Sequence, residues 1–145
     1  MLFEDFGVAA CLSLAAIGSA YGTGMAAMGA IGSWKKSFLQ NKTAPFLTIV
    51  FVGFPLSQTI YAFILMGQIA SALSAGHYFL GLGIFAGLGM GASALMQGKA
   101  AAGACDSLAE TGKGTINYII ALGIIETVAL FVMVFSMLQI KTFTG

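Results

Sequence analysis

The chain has 145 residues, of which 59% are hydrophobic and 8% charged, and its mean hydropathy is +0.96. This composition excludes an ordinary water-soluble domain and indicates a protein of the lipid bilayer. The net charge of +1 gives no bulk attraction to nucleic acid, so no nucleic-acid partner is expected.

Four long apolar segments follow one another along the chain. They cover roughly residues 8–32, 46–71, 79–104 and 115–139. Each is long enough to cross about 30 Å of hydrocarbon as a helix. The chain starts with the acidic Glu4 and Asp5 instead of the basic residues of a signal peptide, so we expect the first helix to be retained. We predict an all-α membrane protein with four transmembrane helices in two antiparallel hairpins.

The lysines predict the orientation in the membrane. Four of the six lie in the first and third connections: Lys35, Lys36, Lys42 and Lys113. The connection around His77 has none, and Lys141 near the C-terminus is the one exception to the pattern. Because positive loops stay in the cytoplasm, we predict a multi-pass protein of the cell membrane with cytoplasmic lysine-bearing loops and both termini outside.

The two hairpins look like copies of each other. Shifting the first helix by 74 positions onto the third aligns Ser19, Ala20, Gly24, Ala26, Ala27, Gly29, Ala30 and Ser33 with small residues of the same types. Shifting the second helix by 68 positions aligns Gln58 with Glu126. We therefore predict a single membrane domain made of a first hairpin, residues 1–74, and a second hairpin, residues 75–145.

The glycine content differs between the helices of each hairpin. The first and third helices carry most of the 20 glycines, whereas the second and fourth carry bulky phenylalanines. Glycine lets membrane helices approach closely. General helix packing explains this pattern, and so does a ring of copies with the glycine-rich helices inside and the bulky helices outside.

Glu126 is the one carboxylate inside the predicted apolar segments. A charge at this depth costs several kcal/mol, so the carboxylate must be protonated, paired or bound to a cation, and we expect it to be functional. If the last hairpin turns near Gly112, residue 126 lies level with about residue 98, beside Gln97.

Further oxygen-bearing side chains are expected at the depth of Glu126. A turn near Gln40 places Gln58 and Ser57 close to that level, with Tyr61 one turn away. Pro55 removes a backbone hydrogen bond from the second helix and can free a carbonyl. These groups suit sodium, which takes several oxygen ligands, or a proton, which needs only the carboxylate and an orienting donor. Ordinary hydrogen bonding between helices remains the alternative for the two amides and the serine.

Other chemistry finds no support in the sequence. Lys99 lies about 200° around its helix from Gln97, so we expect it to extend toward the cytoplasm instead of pairing with Glu126. The sequence has no phosphate-binding glycine loop, no Cys/His cluster with metal-ligand spacing, and no nucleophile with a base. We predict a non-catalytic protein without a cofactor.

The segments GFPLSQTIYAFIL, LMQGKAAAGA and IIETVAL resemble the ring-forming proteolipid of V-type ATPases, known as the K or c subunit. The resemblance covers nearly the whole chain. It implies a homo-oligomeric rotor ring in membrane lipid, with the stator a (I) subunit and a central-stalk subunit as partners. It also implies one transported cation for each four-helix chain, because Gln58 stands where the second hairpin has Glu126.

The resemblance to sodium-transporting bacterial members implies a specific set of ligands. They are Glu126, Gln97, Ser57, Gln58 and the carbonyl of Phe54, with Tyr61 bonded to the glutamate. Ser57 replaces the family's threonine, and Leu56 replaces a glycine often found before it. Sodium is therefore the expected ion and the proton the other possibility. A small secondary cation-coupled transporter and a purely structural four-helix membrane protein are the competing functions.

Overall fold

The computed structural model describes residues 6–145 and is helical throughout apart from its connections. The acidic residues Glu4 and Asp5, on which part of the orientation rests, lie outside the described residues. The elements are α1 (Phe6–Leu39), α2 (Thr48–Gly53), a 3₁₀ turn (Phe54–Leu56), α3 (Ser57–Ser74), α4 (Leu80–Thr111) and α5 (Thr115–Thr144).

Four helical segments of residues 6–145 are long and apolar enough to cross a membrane, as predicted. The second of them, Thr48–Ser74, is made of α2, the 3₁₀ turn and α3. The helices extend beyond the apolar segments because a helix continues through polar residues once it has started. Lys35 and Lys36 consequently lie on the last turns of α1, so the expectation that they belong to the loop was wrong.

The break in the second segment follows from Pro55. Proline has no backbone N–H to donate, so α2 ends at Gly53 and the chain passes through one 3₁₀ turn before α3 begins. Pro55 is buried against α1, where a Cβ added to Gly22 would lie 3.0 Å from the proline Cβ. The hydroxyl of Ser57 donates to the carbonyl of Phe54 at 2.9 Å and so caps this turn.

Helices α1 and α4 pack against each other through glycines. A Cβ added to Gly18 would overlap the backbone of Gly91, and one added to Gly98 would overlap the backbone of Gly22. The sequence numbers rise together along both helices, so α1 and α4 run parallel. The contacting positions are 72 to 77 residues apart, close to the 74-residue shift that aligns the two helices in sequence. Two repeats related by rotation about an axis along the helices would have this register.

Each hairpin is closed at its loop. Asn41 adopts a left-handed conformation with φ 52°, and in the second loop Gly112 does so with φ 66°. The indole N–H of Trp34 donates to the hydroxyl of Thr48 at 2.7 Å, which joins the end of α1 to the start of α2. These turns place α3 beside α1 and α5 beside α4.

Candidate cation-binding site

Glu126 lies near the middle of α5, a helix of 30 residues. Its side chain is half-buried, and the hydroxyl of Tyr61 on α3 donates to its Oε1 at 2.5 Å. A hydrogen bond to an ionised carboxylate is shorter and stronger than one between neutral groups. Tyr61 therefore fixes the orientation of the carboxylate.

Two glutamines connect the first hairpin to the second. Nε2 of Gln58 on α3 donates to Oε1 of Gln97 on α4 at 2.8 Å. Nε2 of Gln97 in turn donates to the carbonyl of Leu122 on α5 at 2.9 Å. Both glutamine side chains have 0% exposure, so each depends on the other for its hydrogen bonds.

The chain of polar atoms continues from the glutamines to the break in the second segment. The hydroxyl of Ser57 lies 3.3 Å from Oε1 of Gln58 and 2.9 Å from the carbonyl oxygen of Phe54. Four oxygen atoms, from Phe54, Ser57, Gln58 and Gln97, thus belong to one connected set of hydrogen bonds. They are the neutral oxygens that the sequence singled out.

The structure arranges the six predicted residues in two groups. Phe54, Ser57, Gln58 and Gln97 form the first group, and Tyr61 and Glu126 the second; Ser57 and Tyr61 lie one turn apart on α3, so the two groups are neighbours there. Both groups contact the same stretch of α5, because Gln97 bonds to α5 one turn before Glu126.

Ser93 is a site residue that the sequence indicates only as the counterpart of Ser19 in the repeat. Its hydroxyl donates at 2.9 Å to the carbonyl of Ile125, the residue before Glu126. Residue 126 thus lies nearer residue 93 than residue 98, because α4 packs on α5 with Gln97 opposite Leu122 and Ser93 opposite Ile125, a register displaced from the one counted from the turn near Gly112. The position of Ser93 one turn before Gln97, on the same face, was the signal that could have found it.

The exposure of the polar groups differs. The amides are sealed inside the four-helix unit, whereas Glu126 reaches its surface. Within residues 6–145 no three His, Cys, Asp or Glu side chains come together as a metal site. A set of one carboxylate with neutral oxygens suits a hard monovalent cation.

Lys99 has the position expected from its place on the helix. It is exposed, whereas Gln97 two residues earlier is buried. Lys99 forms no ion pair with Glu126 within residues 6–145, so it does not neutralise that carboxylate. The ion pair in this part of the chain joins Lys36 to Glu110, near the ends of α1 and α4.

Comparison with known proteins adds a likeness for the second hairpin. Residues 80–139 match the family model of the ATP synthase C subunit. The matched range contains α4 and most of α5, and with them Gln97 and Glu126. A comparison with curated proteins found no match.

Proposed function

We propose that this chain is a rotor-ring subunit of a V-type ATPase that carries one cation on Glu126 and couples ring rotation to ion translocation. The cation is sodium in preference to a proton, and the chain itself is not catalytic. The likeness of residues 80–139 to the ATP synthase C subunit supports a rotor function. The four membrane-spanning segments and their oxygen-lined site support ion carriage.

The observation that carries the proposal is Glu126 itself. It lies half-exposed in the middle of an apolar helix, with Tyr61 bonded to its oxygen. An ionised carboxylate facing hydrocarbon costs several kcal/mol. A bound cation or proton removes that cost, and the carboxylate at the surface of the unit can exchange either one.

The neutral oxygens support sodium over the proton. A sodium ion would take its oxygens from Glu126, Gln97, Gln58, Ser57 and the carbonyl of Phe54. A proton would need only the carboxylate and Tyr61. Two buried glutamines, of which Gln58 donates to Gln97 and Gln97 to the carbonyl of Leu122, are more than a proton site requires.

The mechanism follows from the charge of the site. With an ion bound, Glu126 is neutralised and can face lipid as the ring turns. Without the ion, its charge is tolerated only near water or a cation of the stator a subunit. Rotation is thus blocked for an empty site, which ties ion movement to the torque delivered through the central stalk.

Carbodiimide labelling of the purified protein tests the proposal. The reagent modifies Glu126 when the site is empty, and peptide mass spectrometry separates this product from labelling of the exposed Glu110. Sodium chloride at millimolar concentration should protect Glu126, whereas choline chloride at equal ionic strength should not. The Glu126→Gln variant, which has no carboxyl group at position 126, measures the background labelling.

Each result has a separate meaning. Protection by sodium supports a sodium rotor, and labelling governed by pH alone would make this a proton rotor and overturn the sodium assignment. Labelling indifferent to both would overturn ion carriage on Glu126. The mass of the detergent-solubilised oligomer completes the test, because a monomer or dimer would favour a small secondary transporter over a ring.

A further inference from the structure

The hydroxyl of Ser93 joins α4 to the turn of α5 that leads into Glu126. It donates at 2.9 Å to the carbonyl of Ile125. One turn further along α4, the amide of Gln97 donates at 2.9 Å to the carbonyl of Leu122. Both side chains of α4 are buried, and both acceptors lie just before Glu126 on α5. The two bonds therefore hold the backbone of that turn against α4.

The direction of the Ser93 hydroxyl is unusual for a serine inside a helix. Such hydroxyls commonly donate to a carbonyl one turn earlier in the same helix, as Ser13 does to Ala9. Ser93 bonds to a neighbouring helix instead. The carbonyl of Ile125 also accepts a backbone N–H within α5, so it has a partner with or without Ser93. The bond therefore contributes to the placement of α5 on α4 and not to the completion of either helix.

The packing of α5 on α4 becomes looser beyond Ser93, toward the start of α4. A groove of about 440 Å³ separates the two helices there, with Phe85 and Phe135 among its lining residues. The side-chain hydrogen bonds between α4 and α5 within residues 6–145 are made by Ser93, Gln97 and Ser107, and Ser93 is the nearest of the three to this groove. Its bond is therefore the one placed to limit rotation of α5 about its own axis at Glu126.

Rotation of α5 would change the contact between Glu126 and Tyr61. The carboxylate lies further from the helix axis than the backbone does, so it moves further when the helix turns. Its partner Tyr61 is on another helix, α3, and donates to Oε1 at 2.5 Å. Hydrogen bonds weaken steeply when they are misaligned. The bond from Tyr61 thus depends on the rotation of α5, to which Ser93 is attached.

We propose that Ser93 is a positioning residue, whose bond to the carbonyl of Ile125 holds α5 in the rotation at which the Glu126 carboxylate meets Tyr61 and a bound cation. Ser93 acts through Glu126 and supplies no oxygen of its own to the ion. The proposal rests on the proposed carriage of a cation by Glu126. It adds to that function the residue that sets the approach of the carboxylate.

The variant Ser93→Ala removes the hydroxyl and leaves no orphaned group, because the carbonyl of Ile125 keeps its partner within α5. We expect the sodium concentration that half-protects Glu126 from carbodiimide to rise about 2- to 12-fold, the equivalent of one hydrogen bond between uncharged groups. The matched control is Ser19→Ala. Ser19 is the counterpart of Ser93 in the repeat, and its buried hydroxyl has no hydrogen-bond partner within residues 6–145. The control should leave half-protection unaltered.

A double variant separates positioning from direct binding of the ion. If Ser93 acts through the contact of Tyr61 with Glu126, Ser93→Ala should add less than about twofold to the effect of Tyr61→Phe, since the alignment is already lost. Independent effects that multiply would overturn the proposal. The melting temperature of the same samples separates positioning from packing. A lower melting temperature in Ser93→Ala with unaltered half-protection would show that the hydroxyl only stabilises the contact between the helices.

The unchanged protein is measured first, so that a failure of the proposed function is seen separately. If sodium protects Glu126 there, and Ser93→Ala behaves as Ser19→Ala does, the positioning role is wrong and the cation site stands. If sodium gives no protection, the sodium site is overturned, and the rate of carbodiimide labelling without sodium decides on Ser93. A rate in Ser93→Ala that differs more than about twofold from that in Ser19→Ala supports positioning, and equal rates overturn it.

Discussion

Replacing Gln97 by leucine removes the side chain that connects the two hairpins at the site. Leucine is similar in size but can neither accept the hydrogen bond of Gln58 nor donate to the carbonyl of Leu122. The Leu122 carbonyl keeps its partner within α5, because it still accepts the backbone N–H four residues later. The N–H of Gln58 loses its acceptor in a place with 0% exposure.

The expected losses of stability and of sodium affinity follow from two changes in Gln97→Leu. The N–H of Gln58 has no acceptor, and the proposed site has one oxygen ligand fewer. Leaving a buried donor without a partner costs about 1–3 kcal/mol. A lost ligand of similar value lowers ion affinity about 5- to 150-fold, since about 1.4 kcal/mol corresponds to a factor of ten. We expect the sodium concentration that half-protects Glu126 from carbodiimide to rise within that range.

The matched control is Gln68→Leu. Gln68 lies on the exposed side of α3, so the same chemical change there should leave half-protection unaltered. If Gln97→Leu leaves half-protection within twofold of the unchanged protein, the amide is not a ligand and the sodium site as proposed here is wrong.

A double variant separates the structural role of the glutamines from their role in binding. Replacing both partners of a buried hydrogen bond by apolar groups is nearly neutral for stability. Gln58→Leu with Gln97→Leu should therefore recover most of the thermal stability that Gln97→Leu loses. Sodium protection should not recover. Recovery of both would show that the glutamines serve packing alone.

Three further predictions address the carboxylate and the helix packing. Glu126→Gln should abolish ion transport and coupled ATP hydrolysis while the oligomer keeps its mass; transport that survives the change would refute the mechanism. Tyr61→Phe removes the 2.5 Å hydrogen bond and should raise the half-protecting sodium concentration about 10- to 150-fold, given about 1.5–3 kcal/mol for a bond to a charged group; an unchanged value would show that the bond is dispensable. Gly98→Ala should lower the melting temperature in detergent, because its Cβ would overlap Gly22 at a cost of about 1–3 kcal/mol. The control Gly67→Ala should be neutral or stabilising, since no atom lies within 4 Å of the new Cβ. Equal effects of the two changes would contradict the close packing of α1 and α4.

The sequence predicted the four membrane-spanning helices, because hydropathy over twenty or more residues outweighs local detail in a bilayer. The pair of Tyr61 and Glu126 came from the resemblance to the proteolipids, and the structure places the two in contact. The contact of Gln58 with Gln97 was expected only as a shared depth.

The rest depended on geometry that a single sequence does not contain. The packing of α5 on α4 decides that Ser93, and not residue 98, lies next to Ile125 and so close to the level of Glu126, and a count from the loop cannot supply that register. The extent of the 3₁₀ turn around Pro55 is set by packing against α1 as well as by the missing N–H. The ion pair of Lys36 with Glu110 joins α1 to α4, and no local pattern in the sequence shows it.

The difference between the two hairpins supports one ion for each four helices. In the second hairpin, Ser93 and Gln97 both donate to carbonyls of α5. At the matching positions of the first, the hydroxyls of Ser19 and Thr23 are buried and find no hydrogen-bond partner within residues 6–145. The first hairpin thus keeps the polarity of the site without its connections, and its Gln58 has no charge to exchange, so under the proposed function it would supply a ligand to the ion held by Glu126 instead of forming a second site.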